Sequence, residues 1–217
     1  MTFLVGITGR AQAGKGTVGD YLQAVAHARG LVAAHRGFAD PLKRSAARAL
    51  GYDGPDPLAI GNALRDPASR VTVEFGGGQD GVVGQAVLSG RGFLQRYGQE
   101  AHRDLFGADF WIAQALSPEA LEGLDLLVLS DLRYENEAEA VKALGGEVWE
   151  VQRPGQALTG PEADHASERG LLAGLVDRVL VNRSSREALY RQVDGHVKYA
   201  LPGRPPVLGV ERAGVTA

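Results

Sequence analysis

The sequence predicts a three-layer α/β fold, in which helices cover both faces of a parallel central sheet. Three observations lead to this expectation. The chain opens with a β-type run that is followed by a glycine-rich turn and an amphipathic helix. A continuous apolar run, LDLLVL at Leu124–Leu129, is typical of a strand that is buried on both faces of a parallel sheet. Strand-like and helix-like segments then alternate along the chain, as they do in β–α–β units.

The composition indicates an ordinary globular chain. Its 217 residues suffice for one substantial α/β domain, and 44% hydrophobic with 23% charged residues is a typical balance. A net charge of -3 gives no electrostatic reason to expect a nucleic-acid partner. The sequence has no cysteine, no signal-peptide pattern at its start and no apolar run near the ~20 residues that a membrane span needs. We expect a cytoplasmic protein without nucleic-acid or membrane partners; the oligomeric state stays open, with a homodimer as one candidate.

The first motif is a candidate phosphate-binding loop. Val5–Thr17 reads VGITGRAQAGKGT, in which residues 9–15 fit the pattern G-x-x-x-x-G-K between a strand and a helix. Glycines let successive backbone N–H groups point at an anion, while the helix start and the lysine add positive charge. An ordinary glycine-rich turn is the alternative, but it accounts for neither the lysine nor the threonine. We predict nucleoside-triphosphate binding by Gly9, Arg10, Ala11, Ala13, Gly14, Lys15, Gly16 and Thr17.

The next elements follow from periodicity and capping residues. We expect the first helix over Thr17–Arg29 and a second strand within Leu31–Phe38. Asp40 is a candidate N-cap of the following helix, with Pro41 at its first position.

Residues 51–92 interrupt the α/β alternation, because they are rich in Gly, Pro and Asp. Two β-type runs within them, Val71–Phe75 and Val82–Leu88, predict an inserted hairpin or flap. No repeat or low-complexity linker divides the chain. We therefore expect a single domain over residues 1–202, followed by a Pro- and Gly-containing tail at 203–217.

An amphipathic helix is expected after this insertion, over Arg91–Phe106. Its apolar face would consist of Phe93, Leu94, Tyr97, Ala101 and Leu105. Arg96, Gln99 and Arg103 are three and then four residues apart, which places them on one opposite face of an α-helix. Such a face is either merely solvated or a site for a second, phosphate-bearing substrate, and periodicity does not decide between the two.

The remaining segments restore the alternation of strands and helices. In order, we expect a short helix capped by Asp109, the buried strand that ends at Ser130 and Asp131, a helix over Tyr134–Leu144, strands at Glu147–Val151 and Arg178–Val181, and a final helix whose capping box is Ser184 with Glu187.

Charged residues follow the ends of two of these strands. Asp131 stands at the carboxyl end of its strand, where open α/β folds bind ligands and where a carboxylate suits Mg2+ beside phosphates. N-capping of the next helix is the alternative role for Asp131. Arg133 suits a phosphate or carboxylate. Arg153 begins a polar stretch, 153–170, which we expect to act as a lid that brings an arginine to the phosphates.

Five landmarks, taken in order, resemble the phage-type deoxynucleoside monophosphate kinases, within the larger group of P-loop nucleoside monophosphate kinases. They are TGRAQAGKGTVGDYL from Thr8, FADPLK at Phe38–Lys43, FLQRYGQEAHRDLFGADFW at Phe93–Trp111, SDLRYENEAEAVKALGG at Ser130–Gly146, and QRP from Gln152 followed by HASE up to Glu168. The resemblance spans roughly the first 185 residues. It implies a P-loop kinase fold whose inserted flap lies on the acceptor side.

The resemblance also implies ATP-dependent transfer of the γ-phosphoryl group to a (deoxy)nucleoside 5′-monophosphate, with Mg2+. Lys15 and Thr17 would hold the donor phosphates and the metal ion, which Asp131 would also bind. Arg133 and Arg153 would join Lys15 and Asp131 in catalysis, and Asn182 would lie near the donor base. The acceptor would be bound by Arg91, Gln95, Gly98, Trp111, Asp131, Arg133 and Glu137. We also expect Asp40, Lys43, Gln99 and Arg103 to bind the acceptor. Gly16 stands where this family often has a polar or acidic residue, so the metal contact is expected at Thr17 and Asp131.

Two alternative functions stay open. Another small-molecule kinase, such as a dephospho-coenzyme A kinase, shares the loop and opening strand but gives no reason for the LQ-x-x-G and D-x-R-x-x-x-E segments. A nucleotide-hydrolysing switch or binding module belongs to a different class, although Asp131 begins no D-x-x-G segment and N-K-x-D is absent from the sequence.

Overall fold

A computed structural model of the chain describes residues 2–76, 83–155 and 173–200. Its elements in chain order are β1 (Phe3–Thr8), α1 (Lys15–Ala28), β2 (Ala33–Gly37), α2 (Asp40–Ala49), α3 (Pro57–Ala63), β3 (Arg70–Gly76), β4 (Val83–Ser89), α4 (Gly90–Gly98), a π-helical segment (Gln99–Arg103), α5 (Asp104–Phe106), α6 (Phe110–Ala115), α7 (Pro118–Leu121), β5 (Leu126–Leu132), α8 (Glu135–Ala143), β6 (Glu147–Gln152), a 3-10 turn (Ala173–Leu175), β7 (Arg178–Val181) and α9 (Arg186–Ala200).

A parallel sheet with the strand order β2-β5-β1-β6-β7 forms the centre of the fold. From β1 the chain passes to β2 and β5 on one side and later to β6 and β7 on the other, so the strand order reverses beside β1. The carboxyl ends of strands at such a reversal are where open α/β sheets bind ligands. The predicted α/β class with a parallel central sheet is confirmed, and the glycine-rich loop follows the strand at the reversal.

Helices cover both faces of this sheet. On one face α1 and α9 pack against the strands in a buried core that includes Val5, Leu22 and Val193. On the other face α8 lies close to β1, because a Cβ added at Gly6 would be 3.5 Å from the Val141 side chain. β1 and β5 are buried along most of their length, which explains their continuous apolar sequences.

The chain divides into two compact units. The first, Met1–Gly37 with Leu121–Ala217, contains the parallel sheet, and the second, Phe38–Ala120, contains a two-stranded antiparallel sheet. In that small sheet β3 and β4 pair in register, from Arg70 with Ser89 to Gly76 with Val83, which confirms the predicted hairpin. The single domain over residues 1–202 stays a prediction. Most of the expected lid and the whole of the expected tail lie outside the described residues.

The starts of two helices differ from the expected ones. Ala39 occupies the N-cap position of α2, and Asp40 is already in its first turn, so the expected cap by Asp40 is wrong. At α9 the Ser185 hydroxyl oxygen accepts a 3.3 Å bond from the Ala188 N–H, so Ser185 caps this helix and Ser184 does not. At α9 the two neighbouring serines have similar capping preferences, and sequence alone does not decide which of them occupies the cap. At α2 an alanine occupies a position that capping preferences disfavour, so no local sequence pattern indicates it.

The helix expected over Arg91–Phe106 is present, but its winding changes part-way. α4 ends at Gly98, the π-helical segment follows, and α5 completes the helix. A π turn contains more residues than an α turn, so it rotates the later residues around the helix axis. Ala101 and Leu105 are consequently exposed, and the expected apolar face is wrong at both positions. Within the described residues, no helix is both long and apolar enough to cross a membrane.

Candidate active site

The glycine-rich loop contains the backbone turns that its sequence predicts. β1 ends at Thr8, and Gly9 then adopts a φ of 136°, where a Cβ would lie 2.3 Å from the Val151 carbonyl oxygen. Gly14 has a φ of 109° and occupies the N-cap position of α1. A positive φ disfavours any side chain, and at Gly9 the close approach to β6 also excludes one sterically. Glycine is therefore needed at both ends of the loop.

The start of α1 has the properties of an anion-binding site. A backbone bond of 3.0 Å runs from the Val18 N–H to the Gly14 carbonyl oxygen. The earlier N–H groups of the helix, at Lys15, Gly16 and Thr17, have no carbonyl one turn before them within the helix. These groups and the helix dipole attract an anion such as a phosphate. A Cβ at Gly16 would meet no atom within 4 Å, so this side of the helix start is open.

The Lys15 ammonium group lies over the loop and beside Asp131. Its Nζ donates 2.9 Å bonds to the carbonyl oxygens of Gly9 and Arg10, and it lies 3.4 Å from Asp131 Oδ1. The two side chains are 12% and 28% exposed, so water screens their attraction only in part. Two residues that the sequence assigns to catalysis are thus in contact.

Two residues that follow neighbouring strands bond to the loop backbone. Arg153, after β6, donates from Nη1 to the Gln12 carbonyl oxygen at 3.3 Å. Asn182, after β7, donates from Nδ2 to the Ala13 carbonyl oxygen at 2.8 Å. The expected location of Asn182 near the donor base stays a prediction. Its amide nitrogen is already hydrogen-bonded to the loop backbone.

Asp131 occupies an irregular position in β5. The register between β1 and β5 shifts at this point, as in a β-bulge, and Asp131 has a φ of 67°. Aspartate tolerates this left-handed conformation better than most residues. The alternative role for Asp131 as a helix N-cap is wrong, because Tyr134 occupies the N-cap position of α8.

Glu137 holds the backbone that follows Asp131. Its side chain is buried, and Oε2 accepts bonds from the Arg133 N–H at 2.8 Å and from the Tyr134 N–H at 3.3 Å. These bonds satisfy donors at the start of α8, as in a capping box. Glu137 thereby fixes the chain segment that carries Arg133, whose own side chain is exposed. A direct contact of Glu137 with an acceptor stays a prediction.

The other residues expected to bind the acceptor belong to the second unit. Asp40 and Lys43 are buried there, and Lys43 Nζ donates a 3.0 Å bond to Asp40 Oδ1. A buried ion pair contributes little net stability, because desolvation of the two charges offsets their attraction. Contact of either residue with an acceptor stays a prediction. Arg91 and Gln95 are exposed on α4.

The π-helical segment separates the residues of the expected polar face. Arg96 and Gln99 are exposed, whereas Arg103 is half-buried, so these three side chains do not share one environment as an uninterrupted α-helix would predict. Gly98 and Trp111 are brought together, because the indole Nε1 donates to the Gly98 carbonyl oxygen at 3.1 Å.

His102 is a residue that sequence patterning does not single out. Its Nδ1 lies 2.7 Å from the Tyr97 carbonyl oxygen, and its ring centroid lies 4.8 Å from that of Trp111 and 5.1 Å from that of Phe110. The density of aromatic residues between 93 and 111 is the only sequence signal for this cluster. These contacts pack the π-helical segment against aromatic side chains of the second unit.

Comparison with known proteins connects these features to a family. The family model described as deoxynucleotide monophosphate kinase matches residues 77–193, which is more than half of the chain. A protein of Acanthamoeba polyphaga mimivirus, provisionally named a deoxynucleotide monophosphate kinase, is 27% identical over 194 residues, 88% of this chain and 93% of that protein. A sugar kinase from Janibacter sp. HTCC2649, solved without ligand, is 15% identical, with a TM-score of 0.42 over 92% of this chain and 96% of that chain, and this distant likeness supports no inference. On the strength of the family match, the chain belongs to the deoxynucleotide monophosphate kinase family.

Proposed function

We propose that the chain transfers the γ-phosphoryl group of ATP to a (deoxy)nucleoside 5′-monophosphate, which gives the corresponding diphosphate and ADP. The observation that carries this proposal is the contact of 3.4 Å between Lys15 and Asp131 at the glycine-rich loop. A glycine-rich loop alone supports only nucleotide binding. A carboxylate beside its lysine, in a chain of this kinase family, supports the handling of a metal-bound phosphate.

The donor phosphates are proposed to bind at the start of α1. The N–H groups of Lys15, Gly16 and Thr17 would donate to phosphate oxygens, and the Lys15 ammonium would exchange its bonds with loop carbonyls for bonds with the phosphates. Arg153 and Asn182, bonded to the loop backbone, would keep the loop in its binding conformation.

The residues present fit a magnesium ion. Mg2+ prefers oxygen ligands, keeps several waters and is usually bound through one or two protein groups together with substrate phosphates. The Thr17 hydroxyl, half-buried in the first turn of α1, and the Asp131 carboxylate are groups of this kind. Among the described residues, no group of three or more His, Asp or Glu side chains could hold a metal ion. Binding of Mg2+ through two protein groups and substrate phosphates does not require such a group. When bound, the ion would neutralise charge on the donor phosphates.

The transfer itself requires positioning and charge stabilisation more than acid–base chemistry. An oxygen of the acceptor phosphate forms a bond to the γ-phosphorus, while the bond from that phosphorus to the bridging oxygen breaks and ADP leaves. Lys15, Arg133 and Arg153 are proposed to donate hydrogen bonds to the oxygens around the transferring phosphorus. Their guanidinium and ammonium groups would stabilise negative charge without a proton transfer.

The acceptor is proposed to be recognised mainly by the second unit. Arg91 and Arg103 supply guanidinium groups that suit a monophosphate, and the exposed Gln95 supplies an amide that suits the polar edge of a base. The buried pair of Asp40 and Lys43 would add polar contacts.

The test is ADP formation from ATP with and without a panel of (deoxy)nucleoside monophosphates and dephospho-coenzyme A. We expect ADP to form only when one or more monophosphates are present. Lys15→Ala should reduce this rate about 100-fold or more while the circular dichroism spectrum is unchanged. ADP formation that needs no acceptor would indicate a hydrolase, and activity with dephospho-coenzyme A alone would indicate the other small-molecule kinase.

A further inference from the structure

We infer, on the basis of the proposed function, that Thr8 is a positioning residue for phosphoryl transfer. It would act by holding the β-bulge that carries Asp131 to Lys15. Thr8 ends β1 and opens the first sequence landmark, but that landmark assigns it no role, because a threonine at the end of a strand is ordinary.

The pairing of β1 with β5 shows where the bulge lies. Ile7 pairs with Ser130, but the next residue of β1, Thr8, pairs with Leu132. Asp131 is thus the extra residue of β5, and it has the left-handed φ of 67°. A conformation of this kind persists only where the surrounding structure holds it.

The Thr8 hydroxyl makes such a contact. Its Oγ1 donates a 3.0 Å hydrogen bond to the carbonyl oxygen of Leu132, and Thr8 is only 4% exposed. Leu132 directly follows Asp131, so the bond fixes the Leu132–Arg133 peptide, one residue beyond the bulge. Because the bond is buried, loss of the donor would leave the Leu132 carbonyl oxygen without its hydroxyl partner.

The bulge determines where the Asp131 carboxylate lies. Successive side chains of a regular strand point to opposite faces, and a shift of one residue redirects them. Without the bulge, Asp131 would take the position opposite Thr8, and its carboxylate would be redirected away from the Lys15 ammonium that it now approaches to 3.4 Å. The Thr8 hydroxyl is therefore linked through Leu132 to the proposed metal-binding carboxylate.

Thr8→Val and Thr8→Ser test this link, because valine keeps the shape of threonine without the hydroxyl and serine keeps the hydroxyl. We expect Thr8→Val to lower kcat about tenfold or more, and to raise by a similar factor the Mg2+ concentration that half-saturates binding of a fluorescent ATP analogue. Thr8→Ser should stay within about threefold of the parent protein in both measurements. The matched control is Ser130→Ala, which removes a hydroxyl that donates to the Arg36 carbonyl oxygen at 3.4 Å and should also stay within that range.

A double-mutant cycle separates positioning from a general structural role. In an Asp131→Asn background, Thr8→Val should cause little further loss of kcat, because Thr8 acts through Asp131. The inference would be overturned if Thr8→Val lowered kcat by the same factor in the parent and in the Asp131→Asn background. It would also be overturned if Thr8→Val and Thr8→Ser gave identical Mg2+ titrations. Either result would leave the proposed function intact. If the parent protein lacks acceptor-dependent ADP formation, the proposed function fails, and the Mg2+ titrations still decide the role of Thr8.

If Thr8→Val does not fold, Thr8→Cys takes its place, because a thiol has a similar size and is only a weak donor. We expect Thr8→Cys to require more Mg2+ than Thr8→Ser for half-saturation. Equal requirements for these two variants would again overturn the inference.

Discussion

At the scale of single residues, backbone strain lies at the candidate active site. Among the described residues, Gln12 and Asp131 are the two non-glycine residues with positive φ, at 58° and 67°. Such conformations cost on the order of 1 kcal/mol or more each and are common at functional sites. Both residues are in contact with a cation, since the Gln12 carbonyl oxygen accepts from Arg153 and the Asp131 carboxylate lies beside Lys15. The strain therefore coincides with the charged groups proposed to bind phosphates.

Asn182 provides a residue-scale prediction that distinguishes loop support from base recognition. Asn182→Ala removes the 2.8 Å bond to the Ala13 carbonyl oxygen and so loosens the loop. We expect ATP and GTP to bind more weakly by the same factor, about fivefold to tenfold, which corresponds to the roughly 1 kcal/mol of one hydrogen bond. Equilibrium titration of each nucleotide measures both affinities.

The control is Ser184→Ala, which alters an exposed side chain two residues away and should leave both affinities unchanged. A change in the ratio of the ATP and GTP affinities of Asn182→Ala would contradict the supporting role and indicate that Asn182 reads the donor base.

At the scale of elements, α1 contains two glycines for which opposite effects are predicted. A Cβ at Gly16 would meet no atom within 4 Å, so Gly16→Ala should raise the free energy of unfolding by about 0.5–1 kcal/mol through helix propensity. A Cβ at Gly19 would lie 2.4 Å from Nε2 of His35, whose ring is held by a 2.8 Å bond to Asp20. Gly19→Ala should therefore lower that free energy by about 1–3 kcal/mol.

Denaturant unfolding of this pair measures both effects in one helix. Equal stability of Gly19→Ala and the parent protein would mean that the His35 ring moves aside without cost. Lower stability of Gly16→Ala would mean that its position requires glycine for a reason other than helix propensity.

The elements also show which features sequence patterns reveal. The buried strands are evident because β1 and β5 are apolar along most of their length, and the glycine-rich loop is evident because positive φ demands glycine. The bulge at Asp131 is not evident, because it depends on the pairing of β5 with a strand more than 100 residues away. The π-helical segment is not evident either, because the sequence from Gln99 to Arg103 fits a regular α-helix equally well.

The short helix α3 illustrates a different limit. Its seven residues lie in a segment whose Gly, Pro and Asp content is also typical of turns. Asp56, which accepts a 3.0 Å bond from the Ala59 N–H, and Pro57 after it are helix-start signals, but a helix of this length is too short to show periodicity. Gly61 stabilises it by permitting close packing, because a Cβ there would lie 2.5 Å from the Lys43 carbonyl oxygen of α2.

At the scale of the whole molecule, folding stability is predicted to fall in mild acid through His196. Burial of the imidazole is the main cause that lowers its pKa below 6.5, and the positive charge of Arg178 adds to this effect, while Glu147 opposes it. Below about pH 6.5 the unfolded chain therefore binds more protons than the folded chain, and stability decreases as the pH falls toward the folded-state pKa. Trp149 packs edge-on against this imidazole, with a centroid distance of 5.7 Å.

Thermal unfolding of the parent protein and His196→Gln between about pH 8 and pH 5 measures this contribution. The Tm of His196→Gln should fall less than the Tm of the parent protein as the pH is lowered over that range. At about pH 8 histidine is neutral in both the folded and the unfolded chain, so the difference in Tm between the two proteins at that pH measures the effect of altered packing alone. Parallel curves for the two proteins across the whole range would contradict the assignment to His196.

The first unit of the molecule is the part that sequence reasoning describes best. Its motifs, from the glycine-rich loop to Asp131 and Arg153, lie at the carboxyl ends of β1, β5 and β6, and adjacent parallel strands bring such residues together. The roles of the second unit depend on side chains such as Lys43 and Arg103, whose burial comes from tertiary packing that no local pattern encodes.

The most direct measurement follows the phosphoryl group itself. The protein is incubated with ATP labelled at the γ-phosphate and with each (deoxy)nucleoside 5′-monophosphate in turn, and the nucleotides are separated and assayed for label. We predict labelled (deoxy)nucleoside diphosphate and unlabelled ADP for at least one acceptor, and loss of both products in Lys15→Ala. Label that appears only as inorganic phosphate, at a rate independent of the acceptor, would contradict the proposed kinase activity.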